Sequence, residues 1–234
     1  MPLRSPQSAG CLGAALLVLL LVLFPFIFAN VTLGALAKLG LSPEASLLVA
    51  FGILLGSLIN LPVYRIHRRE PMALPRGPLT LIASLRPGTF QAPRQTVIAV
   101  NLGGCLVPAA VALYQIGRLI VAGPWPVIAC LLALTVNVAS CYVSARPVRG
   151  MGIAMMPLVP ALVAVGCALV LLPGFAPPVA FVAGTLGPII GADLLHLRDI
   201  ERISTGLASI GGAGTFDGIV ICGIIAALLT PIAG

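Results

Sequence analysis

The sequence predicts an all-α fold, a polytopic transmembrane helical bundle of about seven spans, and three observations carry that prediction. Hydrophobic residues make up 59% of the 234 and charged residues only 8%, whereas soluble domains carry about a quarter charged residues. The mean hydropathy is +1.15. The apolar runs are close to the roughly 20 residues that cross a bilayer as a helix, and they lack the short alternation of barrel strands. Lipid satisfies no backbone polar group, so runs of this kind must form helices. The whole chain, 1–234, reads as a single integral membrane domain.

The net charge of +7 does not point to nucleic acid, because the basic residues lie almost wholly between spans, as the positive-inside bias requires. Cys11, Cys105, Cys130, Cys141, Cys167 and Cys222 fall in apolar segments with no CxxC pair. They read as small buried hydrophobes rather than a disulfide or metal framework. With only His67 and His196 in the chain, no metal site and no cofactor are expected.

Span one, residues 11–29, is a retained first span or a signal segment within residues 1–30. Span two, 45–64, begins after Ser42-Pro43-Glu44: a cap, a proline in the first turn and an acid at the positive end of the dipole. Residues 65–95 form a basic loop, and its stretch PLTLIASLRPGTF suggests an interfacial hairpin around a Pro-Gly turn. Span three, 96–116, contains Asn101, Gly103, Gly104 and Pro108. These either break the helix and free backbone groups toward a cavity or let helices pack closely. Span four, 124–143, holds Asn137, and span five, 153–172, should kink at Pro157 and Pro160. Span six, 178–197, carries Asp193, and span seven, 206–232, carries Asp217.

Charge sets the orientation. Arg4, Arg65, Arg68, Arg69, Arg76, Arg86, Arg94, Arg146, Arg149, Arg198 and Arg202 fall on the amino-terminal side, with Lys38 and Arg118 opposite. Eleven of the 13 cations on one side put the amino terminus and the six–seven loop in the cytoplasm and the carboxyl terminus outside.

Of six acidic residues, only Asp193 and Asp217 lie within apolar spans. A charged side chain at the bilayer centre costs at least about 2.5 kcal/mol, so each should face the bundle interior, a partner or water. Position 205, midway between them, falls in the connecting loop, so a helical hairpin brings both to one depth. Held close, two carboxyls resist double ionisation, share a proton and divide into base and acid. That is the chemistry of an aspartic protease, in which a shared water attacks a peptide carbonyl.

Gly211, Gly212, Gly214, Thr215, Phe216 and Gly218 surround Asp217. The glycines there are poor helix formers, at about 1 kcal/mol each, and permit an unwound start and the approach of another backbone. Gly187-Pro188 and Gly191 weaken span six in the same way. Other roles stand beside this one. Asp217 can cap a half-helix that begins at Gly218, and Asp193 can pair with Arg198, Arg202 or His196.

GTLGPIIGADLLHL and SIGGAGTFDGIVICGI, with NLGGCLVP and ARPVRGMGI upstream, resemble an uncharacterised prokaryotic multi-pass membrane family, domain of unknown function 1614. The likeness runs from about Ala45 onward, and the family name implies no activity. More remotely, the aspartate hairpin is similar to the intramembrane aspartyl proteases of the presenilin, signal-peptide-peptidase and prepilin-peptidase group. Those carry one aspartate on each of two consecutive spans, the second in a Gly-x-Gly-Asp motif. By that resemblance Asp193 matches the first aspartate and Asp217 the second, and the implied activity is peptide-bond hydrolysis. Phe216 stands where the motif has its second glycine, Ala192 where the presenilin branch has tyrosine, and no Pro-Ala-Leu follows Asp217.

The pair therefore supports two expectations. One is a protease acting on a transmembrane peptide that approaches over Gly191, Gly211, Gly212 and Gly214. The other is a proton- or cation-coupled transporter or channel, with Asn101, Gly103, Gly104 and Asn137 joining the site. A structural subunit would tolerate loss of both acids. The expected partners are the lipid bilayer and either the peptide or a small cation; the oligomeric state is not legible.

Overall fold

A computed structural model describes residues 6–67, 95–148, 152–200 and 207–231, and most of them are helical. Among the described residues, Leu102–Ala122, Pro124–Ser144 and Pro173–Leu194 are long and apolar enough to cross a membrane. Phe26–Lys38, Pro43–Gly56, Leu158–Leu171 and Gly218–Leu229 are shorter apolar helices.

Helix α1 (Pro6–Lys38) runs past the expected end of span one and stops before Gly40, whose φ of 72° is the left-handed turn that follows many helices. Helix α2 (Pro43–Gly56) starts as its sequence requires: Ser42 Oγ accepts from the Ala45 N–H at 3.2 Å. Hydrogen bonds from its own backbone and from Ser42 hold the Glu44 carboxyl below its usual range. Helices α3 (Val107–Ala122) and α4 (Pro124–Ser144) meet at Gly123. Trp125 is exposed at the start of α4 and Tyr142 in its last turn. Helix α5 (Leu158–Leu171) takes Pro157 as its cap and Pro160 in its first turn. The prolines therefore start the helix rather than kink it, because first-turn N–H groups have no intrahelical acceptor to lose.

Helix α6 (Ala176–Gly187) is the centre of the bundle. Every residue except Leu186 is buried, against α3, α4, α5 and the last helix, α8 (Gly218–Leu229). Small residues allow this: a Cβ on Gly184 would sit 2.9 Å from Ala226 Cβ, so α6 and α8 touch at the backbone.

The all-helical expectation is corrected at four places. Strands β1 (Asn60–His67), β2 (Gln95–Asn101) and β5 (Leu207–Ile210) form one sheet in the order β1-β2-β5. β1 and β2 are antiparallel, with Asn60 opposite Asn101; β2 and β5 are parallel, with Val97 opposite Leu207. Strands β3 (Arg146–Val148) and β4 (Gly152–Ala154) form a separate antiparallel pair. The end of span two and the starts of spans three, five and seven are thus extended. Thr96-Val97-Ile98-Ala99-Val100 is rich in β-branched residues, and Pro62 cannot donate within a helix. Most of the basic loop, with its suggested hairpin, lies outside the described residues.

Two cations close the end of the bundle opposite the sheet. Lys38 Nζ donates to the carbonyls of Leu228 (2.5 Å) and Thr230 (2.8 Å) at the end of α8. Arg118 donates to the Leu39 carbonyl, as does Gln115 Nε2 at 3.1 Å. Arg146 follows α4 at the other end.

Candidate functional site

Between β4 and β5 lies a cavity of about 470 Å³, and both Asp193 and Asp217 line it. Its walls are residues 152–155, residues 208–213, Pro188, Ala192, Ile200 of the short helix α7 (Leu197–Ile200), and 217–219 at the start of α8. Both strands are edge strands: β5 pairs only with β2 and β4 only with β3 among the described residues. Among the described residues, each has one side without a ladder.

The route to Asp217 depends on glycine. β5 runs into Gly211 (φ 70°), and Gly214 (φ 61°) follows, both left-handed. A Cβ on Gly104 would lie 2.1 Å from the Gly211 carbonyl oxygen, and one on Gly214 would lie 2.3 Å from Ser57 Cβ. The loop so held returns the chain to α8 with Asp217 as its N-cap. Asp217 Oδ1 accepts from the Ile219 N–H at 3.0 Å and Oδ2 from the Ala213 N–H at 3.2 Å. The half-helix that begins at Gly218 is therefore real, and Asp217 caps it.

Asp193 is placed by a different break. At Gly187-Pro188 the α6 helix gives way to a π-helical stretch, Pro188–Leu194, since Pro188 has no N–H to continue the α ladder. Gly191 is pressed onto α4: a Cβ there would lie 2.3 Å from the Val138 carbonyl oxygen and 2.8 Å from Cys141 Cβ. Among the described residues no group hydrogen-bonds the Asp193 carboxylate and no ion pair joins it to Arg198; Arg202 lies outside them. His196 turns to the backbone instead, with Nδ1 3.1 Å from the Gly191 carbonyl oxygen and its ring 4.7 Å from that of Tyr142.

Of the other residues singled out by sequence, Gly211, Gly212 and Gly218 line the cavity. Gly214 and Thr215 are buried behind it, and Phe216 ends the 3-10 turn Gly214–Phe216. Asn101, Gly103 and Gly104 support the loop from behind. Asn101 Oδ1 accepts from the Gly104 N–H at 2.7 Å, and its Nδ2 donates to the Ser57 carbonyl (2.8 Å) and Asn60 Oδ1 (3.1 Å). Gly103 meets α2, where a Cβ would lie 2.1 Å from the Ile53 carbonyl oxygen. Asn137 donates to the Ala183 carbonyl at 2.7 Å inside the bundle. Sequence reading missed the walls from β4 and β5, including Met155 and Ser209. The signal available for β5 was a short apolar run ending in Gly211-Gly212.

Among the described residues no three or more His, Cys, Asp and Glu side chains could hold a metal ion. What the cavity offers is two carboxyls, one anchored by two backbone donors and one with no hydrogen-bond partner among the described residues, amid Ser209, apolar side chains and backbone. A carboxyl can accept hydrogen bonds from water, bind a cation when ionised, and take up or release a proton.

A family model described as "Protein of unknown function (DUF1614)" matches residues 54–229. No curated protein matches, and no solved structure does. The comparisons give the more remote likeness to intramembrane aspartyl proteases no support.

Proposed function

The chain belongs to the DUF1614 family, and for it we propose a membrane-embedded peptidase in which Asp193 and Asp217 hydrolyse a peptide bond of a membrane substrate. One observation carries the reading: the two aspartates of the apolar segments line a single cavity between two edge strands. An unpaired strand side is a template for backbone partners. An extended peptide supplies them and brings a carbonyl carbon toward the carboxyls. One carboxylate takes a proton from water as the water oxygen bonds to that carbon. The other, protonated, hydrogen-bonds the carbonyl oxygen, then gives its proton to the leaving nitrogen as the C–N bond breaks. The test is cleavage of membrane-spanning substrates by the purified protein in nanodiscs. Asp193→Asn and Asp217→Asn should each abolish it in folded protein; retained cleavage in either overturns the proposal.

A second reading, a proton- or cation-coupled transporter, is favoured by one specific feature. Asp193 sits on the π-helical end of its helix, and Asp217 is the cap at which α8 begins after the 211–217 loop, so irregular backbone accompanies both acids, as it does at transporter ion sites. Flux into proteoliposomes that Asp193→Asn abolishes, without cleavage by the wild type, would select it. The topology that accompanies either reading is seven crossings with the amino terminus and the segment between the two aspartates in the cytoplasm, supported by the eleven-to-two division of cations.

A further inference from the structure

We infer that His196 is a positioning residue for Asp193: by donating to the Gly191 carbonyl it fixes the end of the π-helical stretch that carries the carboxylate. The inference rests on Asp193 being a working member of the pair.

Three contacts converge on the short segment Gly191–His196. The last backbone bond of the π-helical stretch runs from the Leu195 N–H to the Ile190 carbonyl, at 2.9 Å. Gly191 is the next carbonyl in line, and the His196 ring takes the place of the missing backbone donor at 3.1 Å. A carbonyl only accepts, so Nδ1 carries the proton. His196 is only 7% exposed, and Tyr142 of α4 stacks against it at 4.7 Å with a 30° tilt, which restricts the ring.

Gly191 has no freedom of its own, since its Cα faces the Val138 carbonyl and Cys141 too closely for any side chain. The backbone on the amino side of Asp193 is therefore pinned to α4, and the imidazole closes the loop from the carboxyl side. Asp193 lies between these two anchors with no hydrogen bond to its own carboxylate among the described residues. Its direction into the cavity depends on them. A histidine that merely filled space would need neither the Nδ1 donor nor the carbonyl.

The test uses the full chain in nanodiscs and a hydrophobic carbodiimide, which reacts with protonated carboxyls. Labelling of Asp193 and Asp217 is read separately by mass spectrometry, and folding by thermal melting. His196→Leu should slow Asp193 labelling about threefold to tenfold, the scale of one lost hydrogen bond, with Asp217 labelling unchanged. His196→Asn should restore it, because the Asn amide nitrogen occupies the Nδ1 position. His196→Gln, one carbon longer, should not. Unchanged Asp193 labelling in His196→Leu, or equal losses in His196→Asn and His196→Gln, overturns the inference. If His196→Leu does not fold, the Asn and Gln variants decide. Cleavage that survives Asp193→Asn defeats the peptidase reading instead, and leaves the labelling comparison to stand or fall separately.

Discussion

Asp217 has two separable jobs, and replacing it by asparagine or alanine divides them. Its carboxylate caps α8 through the Ile219 N–H and also accepts from the Ala213 N–H. Asparagine can still cap, since Asn and Asp rank together at that position. It has a single oxygen, so one of the two bonds is lost, at about 1 kcal/mol. Alanine loses the cap, at about 1–2 kcal/mol, and the second bond, at about 1 kcal/mol. The expected order of stability is wild type, then Asp217→Asn, then Asp217→Ala, with about 2–3 kcal/mol between the extremes. Urea or thermal unfolding in a mild detergent, followed through a thiol dye that reads exposure of the buried cysteines, measures that order. Cleavage should not follow it: both variants should be equally inactive, because neither has an acid. Cleavage retained in Asp217→Asn would reduce the residue to a cap and refute the pair. Wild-type stability in Asp217→Ala would refute the cap.

Gly104→Ala drives a methyl group against the Gly211 carbonyl and should cost about 1–3 kcal/mol. Gly117→Ala, in open space on α3, should be neutral or stabilising by up to about 1 kcal/mol; unfolding midpoints compare the two. Asn101→Ala strands the buried Gly104 N–H and the Ser57 carbonyl and should lower stability by about 2–3 kcal/mol, visible as earlier thiol exposure on heating. Lys38→Met removes both charge-assisted bonds to the end of α8 and should cost about 1–2 kcal/mol. Faster proteolysis at the carboxyl terminus would report it, and wild-type resistance would count against the clasp.

Where a segment is helical throughout and flanked by breakers, its sequence sufficed. Pro124 opens α4 and Ser144 closes it, one residue past the expected end. The break at Asn101–Gly104 was also legible, because two adjacent glycines after an asparagine favour neither regular element. Of the two suggested roles, close packing is the one seen: Gly103 and Gly104 lie in the π-helical turn Leu102–Leu106 and let α2 and the 211–217 loop approach, and neither lines the cavity. The strands were not legible. Thr96–Val100 is buried or half-buried throughout, so it lacks the polar alternation that distinguishes a strand from a stretch of buried helix. Its partner Leu207–Ile210 lies more than a hundred positions away, and pairing at that separation leaves no local mark. A run of about 20 apolar residues is read as one span, yet span three is strand, π turn and helix in succession.

Helix α4 also serves as a ruler. Trp125 and Tyr142 are 17 positions apart, about 25 Å along a helix, close to the roughly 30 Å of a hydrocarbon layer. Trp and Tyr gather at the two faces of a bilayer. If these two rings mark those faces, the Gly191 contact on Val138 and Cys141 falls within about 6 Å, or four residues of rise, of the Tyr142 face. The carboxyls would then sit just under the membrane surface at the sheet end, not at the midplane. Water would have a short path to them, the cost of a charge there would be smaller than at the centre, and a substrate would need to unwind only its last turns before leaving the lipid.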